Sequence, residues 1–337
     1  ALVKKMGYYA TYILCIFLFP LLVLIPLAPS IISLYYLDEQ ADWYSFYYLF
    51  KTPFFALLYI LLFLTEVILL TRIFQKDLRP GNYSIYSKTY IKKWFLDQLF
   101  SLSLLVLKPL FATVFISRIY RAMGAKVGQN TEISTATNVT HSLLKIGDES
   151  FIADDVSIGE TEVRNQELQL QFTQIGNRSF IGNSALIPQG YTLGDGMLVG
   201  VISLPPSPEQ LANNDFKDWF GSPSKPLPNR EVLDHYPASL TYSPSFFRKI
   251  ARALVEFLRV LIPQSAILAF SILFIAYADD LLSENKWSEI IIYFPFYYLG
   301  LVAIPCFLLT WILKWLFIGK YKNAQYPMWT WDVWKTE

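Results

Sequence analysis

Charge is scarce in this sequence. Only 16% of its 337 residues are Asp, Glu, Lys or Arg, while 54% are hydrophobic. Globular chains carry about 25% charged residues, so the deficit points to a bilayer rather than to one oversized core. Histidine is rarer still: His141 and His235 are the whole supply, which leaves few bases titrating near neutrality. The two cysteines, Cys15 and Cys306, both sit in apolar runs. They suggest neither a disulfide framework nor a metal site and read as polarizable packing residues. No His/Cys/Asp metal spacing appears, and no phosphate-cradling Gly-rich loop precedes a helix. Net charge is +1, with no basic face interleaved with aromatics in the polar middle, which argues against a nucleic-acid partner.

Long apolar runs are plentiful. Four stretches, Tyr12–Ser33, Thr52–Ile73, Leu258–Ala278 and Ile291–Leu316, are long enough for about 30 Å of hydrocarbon. They form two pairs, each joined by an acidic, aromatic connector. Asp38, Glu39, Asp42 and Trp43 mark the first, and Asp279, Asp280, Glu284 and Trp287 the second. Lys4, Lys5, Arg72, Lys76 and Arg79 lie at the opposite ends of one pair. Arg248, Lys249, Arg252, Lys314, Lys320 and Lys322 do so for the other. The positive-inside rule puts those ends, and the polar middle between the pairs, on the cytoplasmic side of a multi-pass inner-membrane protein.

That middle has a six-residue rhythm. Aliphatic residues recur at Val127, Ile133 and Val139, at Ile146, Ile152 and Ile158, and at Ile175, Ile181, Ile187, Leu193 and Val199. Six matches neither an isolated helix nor a simple strand. It matches a coil of three short strands whose corners each supply one inward aliphatic residue. The groups Ile146-Gly147-Asp148, Ile175-Gly176-Asn177 and Leu193-Gly194-Asp195 put small or turn-forming residues after each such residue. The rhythm lapses at Glu160–Gln174, which reads as a loop or hairpin leaving the coil. The Pro-rich stretch Pro205–Asn229 follows the last turn, with Trp219-Phe220-Gly221-Ser222-Pro223 closing it.

The span pairs also look like copies. Pro20 matches Pro263, Pro53 matches Pro295, and Trp43 matches Trp287, all near an offset of 243. Tyr83-Ser84-Ile85-Tyr86-Ser87 aligns with Tyr326-Pro327-Met328-Trp329-Thr330, and Lys92 with Lys335. Such a repeat suggests a piece of a longer protein built from span-pair plus coil units. Between span and hexads, Lys88–Met123 mixes Trp94, Phe95, Phe100, Leu104, Leu107 and Phe111 with cations, as expected of a helix in the headgroup plane, kinked at Pro109. The expected organisation is a span pair (1–77), an amphipathic surface segment (78–124), a cytoplasmic left-handed parallel β-helix with its closing loop (125–230), a second span pair (231–320) and the start of a second unit (321–337).

The hexads with the Gly221-Ser222-Pro223 closure resemble the hexapeptide-repeat acyltransferases. Other motifs are more particular: Arg79-Pro80-Gly81-x-Tyr83, Glu132-Ile133-Ser134-Thr135-Ala136, Gly147-Asp148-Glu149-Ser150-Phe151-Ile152-Ala153 and Ile175–Ala185. With the span pairs, they look like the membrane-bound C-terminal region of nonribosomal peptide synthetases of the poly-lysine-synthetase-like type. The resemblance covers nearly the whole chain. It implies acyl or peptidyl transfer at the cytoplasmic membrane face, with a carrier-bound aminoacyl or acyl thioester condensing with an amine. It also implies partners: adenylation and carrier domains, further repeat units and the bilayer. The donor would ride on a carrier's phosphopantetheine, with no cofactor bound directly. The alternative is a non-catalytic scaffold supporting a catalytic sister β-helix.

In hexapeptide acyltransferases a His near the coil surface usually deprotonates the acceptor, which makes His141, at the coil edge, the sole candidate base in the domain. The bland alternative is a surface turn histidine without a duty. Asp154 and Asp155 are candidates to orient an amine, against a turn-forming role. Asn183 and Ser184 are candidates for substrate contact, against an internal ladder. Trp219 and Phe220 would wall an acyl or pantetheine channel, or merely cap the coil. His235 reads as interfacial. Within the spans, Glu66 and Arg259 are proposed to bridge the two pairs, the local alternative being Glu256 with Arg259, three residues apart.

Overall fold

A computed structural model describes residues 2–38, 46–213, 215–229, 236–283, 286–321 and 323–336. Two compact units emerge: Ala1–Ile25 with Leu62–Ser245, and Pro26–Leu61 with Phe246–Glu337. The expected connector around Trp43 and the position of His235 fall outside the described residues.

The chain opens with α1 (Leu2–Leu24), α2 (Ala28–Asp38) and α3 (Phe46–Gln75). In the second unit, the Ser30 hydroxyl donates to the Phe55 carbonyl, tying α2 to the start of α3. Then come β1 (Gly81–Ser84), α4 (Lys88–Val106) and α5 (Ile116–Met123). Helix α4 stops three residues before Pro109, whose ring lacks an N–H, and a short 3₁₀ turn at Lys108–Leu110 redirects the chain.

The coil runs in four rungs. The first is β2 (Lys126–Val127), β3 (Glu132–Ile133) and β4 (Ala136–Thr137). The second is β5 (Leu144–Ile146), β6 (Phe151–Ile152) and β7 (Val156–Glu160). A hairpin, β8 (Glu162–Arg164) and β9 (Glu167–Leu170), interrupts it. The third is β10 (Thr173–Ile175), β11 (Phe180–Ile181) and β12 (Leu186–Pro188). The fourth is β13 (Thr192–Leu193) and β14 (Leu198–Val199). Helix α6 (Pro208–Asn213) and the ribbon β15 (Asp218–Phe220) and β16 (Lys225–Pro226) follow.

Successive strands join three different parallel sheets in strict rotation. The pairings bring Val127, Ile146, Ile175 and Leu193 into one column, and Ile133, Ile152, Ile181, Val199 and Trp219 into a second. In the third, Ala136 faces Val156 and Ile158 faces Ile187. Val139 leaves this column, because Asn138 turns the first rung early in a left-handed conformation (φ 58°). Each column member is buried, and burying one such side chain contributes about 1.5–3 kcal/mol.

Glycine follows the column residues for a spatial reason. A Cβ on Gly147 would lie 2.5 Å from the Asn177 nitrogen, and one on Gly176 would lie 2.5 Å from the Gly194 carbonyl carbon, each on the next rung. The Asx residues beside them form a ladder. Asp148 Oδ1 accepts from Gln129 N (2.6 Å), Asn177 Oδ1 from Asp148 N (2.8 Å), and Asp195 Oδ1 from Asn177 N (2.7 Å). The last step holds the Asp195 carboxyl below its ordinary range, through the backbone and then the side chain of Asn177.

Helix α5 covers the open first rung. The Tyr120 hydroxyl donates to the Ala136 carbonyl (3.3 Å), Arg121 Nε to the Val127 carbonyl (2.7 Å), and the Ser117 hydroxyl to the Thr131 carbonyl. The last turn of α3 then grips the C-terminus of α5. Arg72 donates to the carbonyls of Ala122 (2.5 Å) and Arg121 (3.1 Å), and Gln75 to that of Met123. A cation there also meets the negative end of the helix dipole. The apolar side of α4 is covered by protein: Phe95 stacks on Phe19 (5.3 Å) and contacts Phe74 (4.7 Å), while Leu99 and Phe100 are buried.

The second unit contains α7 (Phe246–Ser283), α8 (Trp287–Tyr298), α9 (Ile304–Leu313) and α10 (Trp331–Trp334). Among the described residues three helices, Lys5–Ser33, Phe50–Gln75 and Phe246–Phe270, are long and apolar enough to cross a membrane. The fourth expected span, Ile291–Leu316, differs. It is helical in pieces, with π turns at Leu299–Ala303 and Lys314–Ile318, and its apolar helix Ile304–Ile318 is shorter than a crossing. Pro295 and Pro305 each remove a backbone donor on either side of the first of these turns.

Candidate active site

The sequence candidates on the coil separate into three places, apart from Glu66 and Arg259 of the spans. Asp154, Asp155, Asn183 and Ser184 come together on one exposed corner of the coil, at the start of β7 and β12. Asp154 Oδ1 accepts from the Ser134 hydroxyl and from the Thr135 hydroxyl (3.3 Å). Its backbone N–H donates to Asn183 Oδ1 (3.2 Å), and its carbonyl accepts from Ser184 N (2.8 Å). Asp155 (φ 56°) and Ser184 (φ 55°) turn the corner in left-handed conformations. Asn183 is thus a rung-to-rung link, and the Asp154 carboxylate is a fixed anion facing solvent. Asp154 and Asp155 do not make an acid/base dyad, since Asp155 serves the turn and its N–H is bonded to the Thr135 hydroxyl (2.8 Å).

His141 is not at an exposed edge, which corrects the expectation of a surface base. It opens a 3₁₀ turn, His141–Leu143, and is 4% exposed. Phe100 (5.0 Å between ring centres) and Tyr120 (4.9 Å) pack edge-on against its ring. It borders a chamber with Thr71, Gln75, Lys93, Leu96, Phe100, Val139 and Thr140. That chamber holds about 10 Å³, room for nothing larger than one water. Burial first, and the Lys93 ammonium second, push the imidazole pKa down to about 3. Burial likewise raises the Tyr120 phenol. Within the fold His Nε2, Thr140 Oγ1 and the Ser142 hydroxyl have no hydrogen-bond partner among the described residues. Lys93, itself buried, pairs with Asp97 one turn along α4. The imidazole is enclosed by aromatic rings and by a chamber with room for about one water.

Trp219 is fully buried at the last rung, its Nε1 donating to the Phe216 carbonyl (3.0 Å), so it extends the core column instead of walling a channel. Phe220 is 52% exposed over Gly200. The Ser222–Pro223 bond is cis. Glu66 leaves Oε2 buried without a hydrogen-bond partner among the described residues. Glu256 accepts from Arg252 Nε (2.8 Å), one turn before it on α7. Among the described residues, no group of three or more His, Cys, Asp or Glu could hold a metal.

Sequence reasoning missed the partner of the hairpin. Gly81–Ser84, in the Arg79-Pro80-Gly81-x-Tyr83 motif, pairs antiparallel with Glu167–Leu170, and β8 completes a three-stranded sheet. Leu78, Leu143, Leu168 and Leu170 form its core. The alternation Glu167-Leu168-Gln169-Leu170 was the available signal. So was the Asn165-Gln166 turn, where φ is 51° and 63°, as a two-residue type I′ connection requires.

Hexads stacked in register through three parallel sheets place the chain in the hexapeptide-repeat class. Over 346 aligned residues the chain is 35% identical to the delta-poly-L-ornithine synthetase of Acinetobacter baumannii, covering 99% of this chain and 26% of that protein. It is therefore homologous to one stretch of a poly-ornithine synthetase, as its motifs implied, and spans about a quarter of that relative's length. Solved structures similar to it include a maltose O-acetyltransferase from Clostridium difficile (19% identity, half of this chain and 86% of that one, TM-score 0.28). A hexapeptide-repeat acetyltransferase from Vibrio cholerae is also similar (16%, half and 90%, 0.28). No family model matches the chain.

Proposed function

We propose that this chain is the membrane-held transfer module of an amide-forming synthetase. The observation that carries this reading is the 35% identity to a poly-ornithine synthetase along 99% of the chain. The coil is read as a left-handed β-helix on the cytoplasmic side of the inner membrane, between two pairs of spans, four in all, with the domain limits given above. The donor is an aminoacyl or acyl thioester on the phosphopantetheine of a carrier domain, itself loaded by an adenylation domain. The acceptor is an amine. Its nitrogen attacks the thioester carbonyl, the C–S bond breaks, an amide forms, and the nitrogen's proton leaves with the thiol. The exposed Asp154 carboxylate, oriented by Ser134 and Thr135, is the group on this coil best suited to accept a hydrogen bond from the acceptor amine. Holding the coil beside its donor domains raises effective concentration.

A second reading is a scaffold: this coil supports a catalytic sister repeat and does no chemistry. The closed chamber around His141 favours it, since it encloses the one histidine of the coil. Asp154→Asn in the complete synthetase separates the two. The change is isosteric and leaves the Asn183 link, made by the backbone, in place. A fall of about tenfold or more in product formation, with expression and thermal midpoint unchanged, supports chemistry at this corner. Unchanged turnover assigns the coil to scaffolding.

A further inference from the structure

At the start of α1 lies a cavity of about 310 Å³ lined almost wholly by aromatic rings: Tyr8, Tyr9, Tyr12, Tyr86, Tyr90 and Trp94, with Ile85. Tyr8 packs on Tyr86 (6.1 Å between centres) and Tyr12 stands edge-on to Trp94 (4.8 Å). Lys5 guards the rim, its Nζ 4.7 Å from the centre of the Tyr86 ring. No carboxylate among the described residues pairs with Lys5, and none lines the cavity. Ring faces alone can hold a cation, but the Lys5 ammonium beside Tyr86 repels one and attracts an anion, and phenol hydroxyls, those of Tyr9 and Tyr86 bonded to each other, stand nearby. It opens where α4 begins, beyond its Ser87 cap, so the positive end of that helix faces the same side. The wall continues apolar along α1, with Phe19 against Trp94 (6.1 Å) and Phe95. The whole lies at one end of an apolar helix long enough to span a bilayer. Tyrosine, tryptophan and lysine are the side chains that settle at headgroup depth.

We propose that this cavity binds the phosphate-bearing headgroup of an anionic phospholipid, with Lys5 on the phosphate, phenol hydroxyls on its oxygens, and the lipid's chains along the Trp94–Phe19 wall. The proposal is independent of amide transfer and needs only that α1 crosses a membrane. A lipid seated there would fix the register between the start of α1 and the start of α4.

The test uses the full chain in mixed-lipid nanodiscs, extracted and examined by native mass spectrometry. Phosphatidylglycerol should be retained about fivefold more than phosphatidylcholine on the wild type, the contribution of one lysine near an anionic headgroup. Lys5→Gln should abolish that preference, and Tyr86→Leu should weaken retention of both lipids, with helix content by circular dichroism unchanged in each. Tyr8→Phe, which removes a hydroxyl and keeps the ring, should lower retention of both lipids, since both carry the phosphodiester, and leave the preference between them in place. Equal retention by wild type and Lys5→Gln would overturn the proposal. Complete displacement of the lipid by millimolar inorganic phosphate would overturn the lipid as the source and assign the pocket to a soluble phosphate compound.

Discussion

Ser87 and Thr330, 243 residues apart, occupy the same structural position: each is the extended residue immediately before a helix. Their dihedrals are −117°, 156° and −127°, 157°. The proline pairs at the same spacing lie inside helices in both copies. Tyr86 and Trp329, one residue ahead of each cap, both lie under a cation, Lys5 in one case and Arg252 in the other. The repeat inferred from spacing is therefore repeated local structure.

The two cap residues bond in opposite directions, the Thr330 hydroxyl donating back to the Pro327 carbonyl (2.8 Å), which gives a prediction. The Ser87 hydroxyl accepts from Tyr90 N (3.2 Å), whereas Thr330 makes no side-chain cap bond. Ser87→Ala should cost about 1 kcal/mol, and Thr330→Ala a few tenths. Thermal unfolding of both variants in one detergent, side by side, checks the difference.

How much of this was legible follows from where each signal lives. The columns were, because a six-residue period and the Ile-Gly-Asx grammar act within one rung. The left-handed corners at Glu149 (φ 56°) and Arg178 (φ 51°) were not, since long side chains normally avoid that region. They persist because each is over-determined by its rung: Arg178 N donates to the Asp148 carbonyl (2.8 Å), and Glu149 N to that of Gln129 (2.8 Å). The pairing of β1 with the hairpin was hidden by more than 80 residues of separation. His141 was misplaced for a related reason. Its own neighbours read as a coil edge, and the docking of α3, α4 and α5, through Gln75, Phe100 and Tyr120, encloses it. The apolar stripe of α4 was visible; that protein rather than lipid covers it was not.

The glycine column yields a contrast within one motif. Gly176→Ala forces a Cβ against the Gly194 backbone, which cannot move without breaking the ladder. Gly194→Ala meets only Met197 Sδ at 3.9 Å, because the fourth rung is the last at that corner. The first should destabilise by about 1–3 kcal/mol and the second should be close to neutral. Equal effects, measured by denaturant midpoints, would contradict the stacking order.

His141 gives a pH dependence with a definite sign. Its folded pKa of about 3 lies below the ordinary 6.5, so the unfolded chain binds the extra proton. The group therefore costs no stability above pH 6.5 and destabilises the fold increasingly as pH falls from 6.5 towards 3, by at most about 1.4 kcal/mol per pH unit. Asp97, whose carboxyl is raised by burial against the pull of Lys93, acts with the opposite sign, favouring the fold at low pH. Replacing the imidazole isolates the first effect: His141→Phe should flatten the loss of stability between pH 6 and 4, seen as converging thermal midpoints. A wild-type curve already flat in that window would mean that the imidazole is reachable by water.

The Arg252–Glu256 pair offers the clearest measure of what a buried charge costs at the end of a span. Both side chains are almost fully buried (4% and 2% exposed), and the guanidinium also lies 4.8 Å from the centre of the Trp329 ring. Desolvating two ions is expensive, and their attraction offsets that cost only while both are present. Glu256→Gln removes the buried charge that accepts from Arg252 Nε and should destabilise by about 3–5 kcal/mol. Arg252→Met together with Glu256→Leu removes both charges at similar volume. It should recover most of that loss, since a well-packed apolar pair is often as stable as the ions it replaces. Thermal midpoints of the single and double variants in one detergent decide the matter. A double variant no better than the single one would show that Arg252 is held by Trp329 rather than by Glu256.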